Sequence, residues 1–149
     1  MGRVDTRRLN VTATDDGIRA ALDAFEALMA AHGLSKAVGW PAEVALDEVL
    51  ANVVRHGLAG RAGEATVGLE LRLEVGVEPP VWEVVVTDDG PEFDPLRAPA
   101  PDTSAGLEER PVGGLGVALV RRLVDEVEYE RRDGQNRLRL RRRLVAMEG

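Results

Sequence analysis

The sequence predicts an α+β two-layer sandwich: a mixed, mainly antiparallel sheet of about five strands covered on one face by three helices. Three observations predict it. Two capped segments near the start, and one later, repeat apolar residues at helical spacing. Four other segments alternate or run apolar between turn signals, and two pairs of them follow one another closely enough to form hairpins. Helices with one apolar face need a sheet to cover, so the order β-α-α-β-β-loop-α-β-β closes as two layers. With 149 residues and no internal repeat or linker, one domain spanning 1–149 is expected.

Residues Arg7 to Ala13 read as a first strand at a sheet edge, and Thr14-Asp15-Asp16 as a helix cap after it. Ile18, Leu22, Phe25, Leu28 and Met29 then mark a helix from Asp16 to His32, stopped at Gly33. Pro41 suits a first helical position, and Leu46, Val49, Leu50 and Val53 form the apolar stripe of a second helix ending at Gly57. Gly60 to Gly63 is a loop. Ala65 to Val75 alternates as a half-buried strand does. Glu78-Pro79-Pro80 turns the chain into Val81 to Thr87, whose valines suggest a central strand. Pro91 to Val112 holds five prolines and no period; a structureless stretch of about 20 residues is a functional or a disordered segment. After Gly113-Gly114-Leu115-Gly116 a third helix follows, with Val117, Leu119, Val120, Leu123 and Val124 as its apolar positions. Val127 to Glu130 and Arg137 to Leu140 are strands joined at Asp133-Gly134, a hairpin signal.

Aromatic residues make up 3%, so Val, Leu and Ala must fill the core. The absence of cysteine excludes disulfides, thiolate metal sites and cysteine catalysis. No apolar run reaches about 18 residues, so no transmembrane helix is expected, and the first residues lack the order of a signal peptide. A cytoplasmic location fits. A net charge of -7 argues against nucleic acid as a direct partner. Arg131, Arg132, Arg137, Arg139, Arg141, Arg142 and Arg143 read as the solvated side of two strands, or else as a basic patch. His32 and His56 sit near helix ends, as surface or capping residues.

Three constellations can carry chemistry. Glu48 and Asn52 share one helix face, opposite the apolar stripe: a solvated polar face, or a carboxylate base beside an amide oxygen able to hold Mg²⁺. Asp88-Asp89-Gly90 is a strand-ending turn, or it points an acceptor into a cleft that Gly90 lets a ligand approach. The acidic run from Asp88 to Asp94 also has the composition of a metal site. Gly113-Gly114-Leu115-Gly116 is a hinge, or a phosphate site at a helix start.

Taken in order, "ALDEVLANVVRHG", "VTDDGPEFDP" and "GGLGVALVRRLVDEVEYERRDGQNRLRLRR" resemble the motifs of the GHKL ATPases, which have the Bergerat fold. The likeness covers Asp16 to Arg143 and is strongest to the bacterial anti-sigma factor serine/threonine kinases. The resemblance implies ATP and Mg²⁺ as cofactors, Asn52 as the Mg²⁺ ligand and Glu48 as general base. It implies that Asp88 accepts the adenine amino group and that Gly90 lies against the base. Gly113, Gly114, Leu115, Gly116 and Val117 would wrap the phosphates, with residues 91–112 as an ATP lid. Arg97 or Arg110 would reach the γ-phosphate. Glu92 stands where many GHKL members have a second glycine, and the D-D-G-P-x-F-D form is that of the anti-sigma branch. The implied function is phosphorylation of an anti-anti-sigma (STAS-type) protein and sequestration of a sigma factor, by a homodimer with no membrane partner. A nucleotide-dependent binding module without transfer, and a nucleotide-free interaction domain, are the competing expectations.

Overall fold

The computed structural model describes residues 2–58, 61, 64–97 and 112–147, with the backbone alone for 112–115. Eight regular elements follow in the expected order: β1 (Arg3–Thr12), α1 (Asp15–Ala31), α2 (Lys36–Asn52), β2 (Thr66–Val75), β3 (Val81–Asp88), α3 (Val112–Leu123), β4 (Glu126–Arg132) and β5 (Gln135–Arg143). The five strands form one sheet in the order β1-β2-β3-β5-β4, and every pairing is antiparallel. The valine-rich β3 is central and β1 is an edge, as their sequences suggest. The β4–β5 hairpin turns on Asp133 and Gly134, with φ of 52° and 75°. Two successive left-handed residues match the twist of the flanking strands, and Asp-Gly tolerates them.

Alternation decides which face meets the helices. Val67, Leu69, Leu71 and Leu73 of β2, Trp82, Val84 and Val86 of β3, and Leu138 and Leu140 of β5 are buried. They meet Ile18, Leu22, Phe25 and Leu28 of α1 and Leu46, Val49 and Leu50 of α2 in one core. Phe25 meets Trp82 edge-on, with ring centroids 5.6 Å apart, a geometry that adds about 0.5–1.5 kcal/mol beyond burial. The opposite sheet face is charged. Arg139 and Arg141 lie among Glu83, Glu126 and Glu128, so these arginines are in ion pairs along the strands. Arg142 departs from the solvated-side reading. It takes an inward register position and is 7% exposed. Its guanidinium donates to the Leu123 and Val145 carbonyls at 2.9 and 3.0 Å, and burial lowers its pKa.

Thr14 caps α1 by accepting the Gly17 N–H at 3.1 Å. His32 caps its other end and sets Nε2 2.8 Å from Asp5 on β1. That hydrogen bond, and then Arg7, hold the Asp5 carboxyl below its ordinary value. The start of α2 differs from expectation. Ser35 accepts the Val38 N–H at 3.3 Å and is the cap, so the helix begins at Lys36 and Pro41 lies inside it. A serine cap supplies an acceptor, whereas a proline only omits a donor, so the cap sets the start. The α-helix ends at Asn52, and the chain reaches Gly57 through a π-helical turn, Val53–Gly57. Among the described residues no helix is long and apolar enough to cross a membrane.

Where α1 and α2 meet, the Glu26 and Glu43 carboxyls come together on the wall of one cavity. Burial first, and then Glu26, push the Glu43 carboxyl up to about 7, from 4.5. The folded state therefore holds a proton that the unfolded state releases. The stability this contributes is full below pH 4.5 and is lost as pH rises through about 7. With solvent screening of a partly exposed pair, the expected loss is about 1–2 kcal/mol. Glu43→Gln should remove it. Thermal melts at pH 5 and pH 8 should show the variant gaining on the parent at the higher pH.

Candidate functional site

Strand β3 delivers Asp88 to the edge of the core. Trp82, Val84 and Val86 point inward at every second position, and Asp88 takes the next one. It is 7% exposed. Its Oδ1 accepts the Gly90 N–H at 2.9 Å and the Asn136 Nδ2–H at 3.0 Å. Gly90 is confined: an added Cβ would overlap Leu58 and lie 3.1 Å from Asp88 Oδ1. Its carbonyl accepts from Arg131 at 2.7 Å.

Asn136 holds this turn together. It is the register partner of Asp88 on β5. Its Nδ2 also donates to the Pro91 carbonyl at 2.8 Å. Its Oδ1 accepts the Phe93 N–H at 3.1 Å and the Tyr129 hydroxyl at 2.5 Å. Burial, and then the charge of Glu92, raise the Tyr129 pKa. Four groups thus converge on one amide. Sequence reasoning missed Asn136, although a signal existed: it is the polar residue at an inward position followed by Leu138 and Leu140. Asn136→Ala should cost on the order of 2 kcal/mol, because the Phe93 and Tyr129 donors lose their acceptor. In a thermal melt that is about 4–8 °C.

The acidic run does not converge on a metal. Asp89 is exposed and 3.4 Å from Arg61. Asp94 accepts the Leu96 N–H at 2.9 Å and lies just before a 3₁₀ turn, Pro95–Arg97. Among the described residues no three His, Asp or Glu side chains are placed to hold a cation.

Glu48 and Asn52 face α3 rather than water. Asn52 is 7% exposed and Glu48 half-buried. A Cβ added to Gly116 would overlap Glu48 Oε2 and come within 4.0 Å of Asn52 Nδ2. A glycine at this position is what lets α3 pack so close to the carboxylate and the amide. Asn52 is the last residue of α2 before the π-helical turn, a distortion that is frequent at functional sites. That turn carries the chain on to Leu58, the residue beneath Gly90. The predicted residues thus form two clusters, Glu48–Asn52–Gly116 and Asp88–Gly90, the second held by the unpredicted Asn136, and Val53–Leu58 joins the two.

The glycine stretch was expected ahead of the third helix. Instead α3 starts at Val112, so Gly113, Gly114, Leu115 and Gly116 lie in its first turns. At Gly116 the missing Cβ is what lets the helix run past Glu48 on α2. The side chain of Leu115 lies outside the described residues. Val117 is half-buried. Leu119, expected to be apolar and inward, is 39% exposed, and Val124 is buried just past the helix end. Arg97 is exposed and 3.6 Å from Asp94. Arg110, with residues 98–111 of the expected lid, lies outside the described residues, as do most of Gly60 to Gly63.

The residues present suit a magnesium nucleotide on two counts. Asn52 offers a hard oxygen donor at a buried position, and the absence of a Cβ at Gly116 and Gly90 lets Glu48 and Leu58 approach the backbone of the two clusters closely. Comparison with known proteins bears on the family and the fold. The serine/threonine-protein kinase BtrW of Bordetella bronchiseptica is 30% identical over 141 residues, covering 93% of this chain and 92% of that protein. The crystal structure of the RsbU and RsbW domains of Rv1364c from Mycobacterium tuberculosis superposes with a TM-score of 0.63 at 17% identity. That match covers 94% of this chain and 32% of the mycobacterial one, so this chain spans about a third of that protein's length. The model of the histidine kinase-like ATPase domain matches residues 11–142. The chain belongs to the histidine kinase-like ATPase family.

Proposed function

We propose that this protein is an ATP- and Mg²⁺-dependent serine/threonine kinase that phosphorylates an anti-anti-sigma (STAS-type) protein and otherwise sequesters a sigma factor. On this reading residues 1–149 form one domain, with 91–112 as its lid, acting as a cytoplasmic homodimer. The observation that carries the reading is the meeting of Glu48 and Asn52 with Gly116 across α2 and α3. The 30% identity to a protein named as a serine/threonine kinase supports it.

Each residue then has a role. Asp88 accepts the adenine amino group, with Oδ1 already held by Gly90 and Asn136. Gly90 lies against the base. Asn52 would hold Mg²⁺, which supplies charge neutralisation along the phosphates. Gly113, Gly114, Leu115, Gly116 and Val117 line the phosphates at the positive end of α3, and Arg97 or Arg110 reaches the γ-phosphate. Glu48 takes the proton of a partner serine or threonine hydroxyl while that oxygen bonds to the γ-phosphorus. The bond to the β–γ bridging oxygen breaks, and ADP leaves. Phosphoryl transfer asks for this kind of positioning more than for covalent help.

Incubation with ATP, Mg²⁺ and a STAS-type partner should yield phosphoserine or phosphothreonine on the partner, read by mass spectrometry. ATP binding without product would leave a nucleotide-dependent binding module. No heat of ATP binding and no thermal stabilisation would leave an interaction domain alone.

A further inference from the structure

Helix α2 carries a second functional face. Glu43 precedes Glu48 by five residues, which is about 140° around the helix and about 7.5 Å along it. Glu48 turns to α3, and Glu43 turns to α1. A cavity of about 400 Å³ opens between α1 and α2, walled by Phe25, Met29, Leu34 and Trp40 and carrying Glu26, Glu43 and, at its α2 end, Lys36. Trp40 is 44% exposed, so its ring is available to a ligand. Glu43 Oε2 is sealed from solvent and has no hydrogen-bond partner among the described residues. Two carboxyls facing one another can hydrogen-bond only by sharing a proton, and Arg19 donates to Glu26 alone of the two.

We propose that this cavity binds a small organic cation, an ammonium or amidinium group on an aromatic or branched apolar body. The size fits, since ligand cavities run from roughly 300 to 1,000 Å³. The apolar walls take the body of the ligand. The cation donates to Glu43 and displaces the proton shared with Glu26, and the Trp40 ring adds a cation–π contact. An anion would meet two carboxylates against the single ammonium of Lys36, and a neutral molecule would leave Glu43 without compensation. The charged groups around the pair are Arg19 and Glu26 on α1 and Lys36 and Asp47 on α2. Arg19 is already committed to Asp23 and Glu26 at 3.0 and 3.2 Å, so it does not serve Glu43 Oε2. The inference is independent of the nucleotide reading.

Benzamidine is the probe, titrated into the full chain by calorimetry with Trp fluorescence in parallel. Saturable binding with one ligand per chain is expected. Burial and Glu26 push Glu43 up to about 7, so fewer sites are competent at pH 6, and binding should be up to about tenfold tighter at pH 8. Titration in two buffers of different ionisation enthalpy should show proton release below pH 7. Glu43→Gln should weaken binding at least tenfold. Trp40→Ala, at an exposed position, should weaken it with the fold intact by circular dichroism. Equal binding of benzyl alcohol would overturn the proposal. So would the absence of saturation at millimolar benzamidine, or full affinity in both variants. An arginine peptide that binds where benzamidine does not would replace the small ligand with a protein partner.

Discussion

Asp88→Asn is expected to weaken ATP binding roughly 10- to 100-fold, by the same factor with Mg²⁺ and with EDTA. The substitution changes almost nothing in shape. The amide oxygen can still accept from Gly90 and Asn136, as Oδ1 does now. The second oxygen becomes an NH₂, and on the proposed reading it would meet the adenine amino group donor to donor. Losing a hydrogen bond to a charged acceptor costs about 1.5–3 kcal/mol, which sets the range. Because Asn136 and Gly90 keep one oxygen occupied, the side chain cannot turn over without breaking two bonds. Calorimetry with and without the metal measures the effect. A loss seen only when Mg²⁺ is present would return Asp88 to the metal-site reading that its acidic neighbours first suggest.

Glu48→Gln should lower phosphotransfer to a partner about 10²- to 10⁴-fold, the range for a general base, with ATP affinity unchanged. Glutamine keeps the contact with Gly116 but cannot take the hydroxyl proton. Gly116→Ala is the informative companion. An added Cβ overlaps Glu48 Oε2, and the flexible carboxylate is the atom that can yield. The variant should therefore fold, with a melting temperature near the parent's, and lose transfer because the base is displaced. Quantifying phosphorylated partner against time tests both. Transfer at the parent rate in Glu48→Gln would remove the base role, whatever Gly116→Ala does.

Much of this protein is legible one residue after another, because its signals are local. Thr14 and Ser35 supply cap acceptors within the next turn, and Asp133-Gly134 accepts left-handed backbone with no help from elsewhere. The alternation in β2 and the valines of β3 report one buried sheet face. The order of elements follows from these, whereas the three motifs are legible as a family resemblance carried by residue identity. Misreadings arose where two local signals competed. Pro41 is a good first helical residue, but Ser35 caps earlier. The glycines from Gly113 to Gly116 look like a loop until they are seen to enter a helix that must approach α2.

Other features have no local cause. Asn136 acts on Asp88 and Pro91 through a β3–β5 register that joins residues 48 and 45 positions apart. Arg142 sits among outward arginines and is buried only because the alternation places it inward, against the end of α3. Glu43 looks like one more acid on an amphipathic helix until Glu26 comes to face it. The sequence by itself determined the elements and their order, since backbone propensity and period act within a few residues, and it carried the family motifs as a resemblance. Only the tertiary structure decided which polar groups lose water and which partner each then finds, because desolvation depends on neighbours that the chain brings from far away.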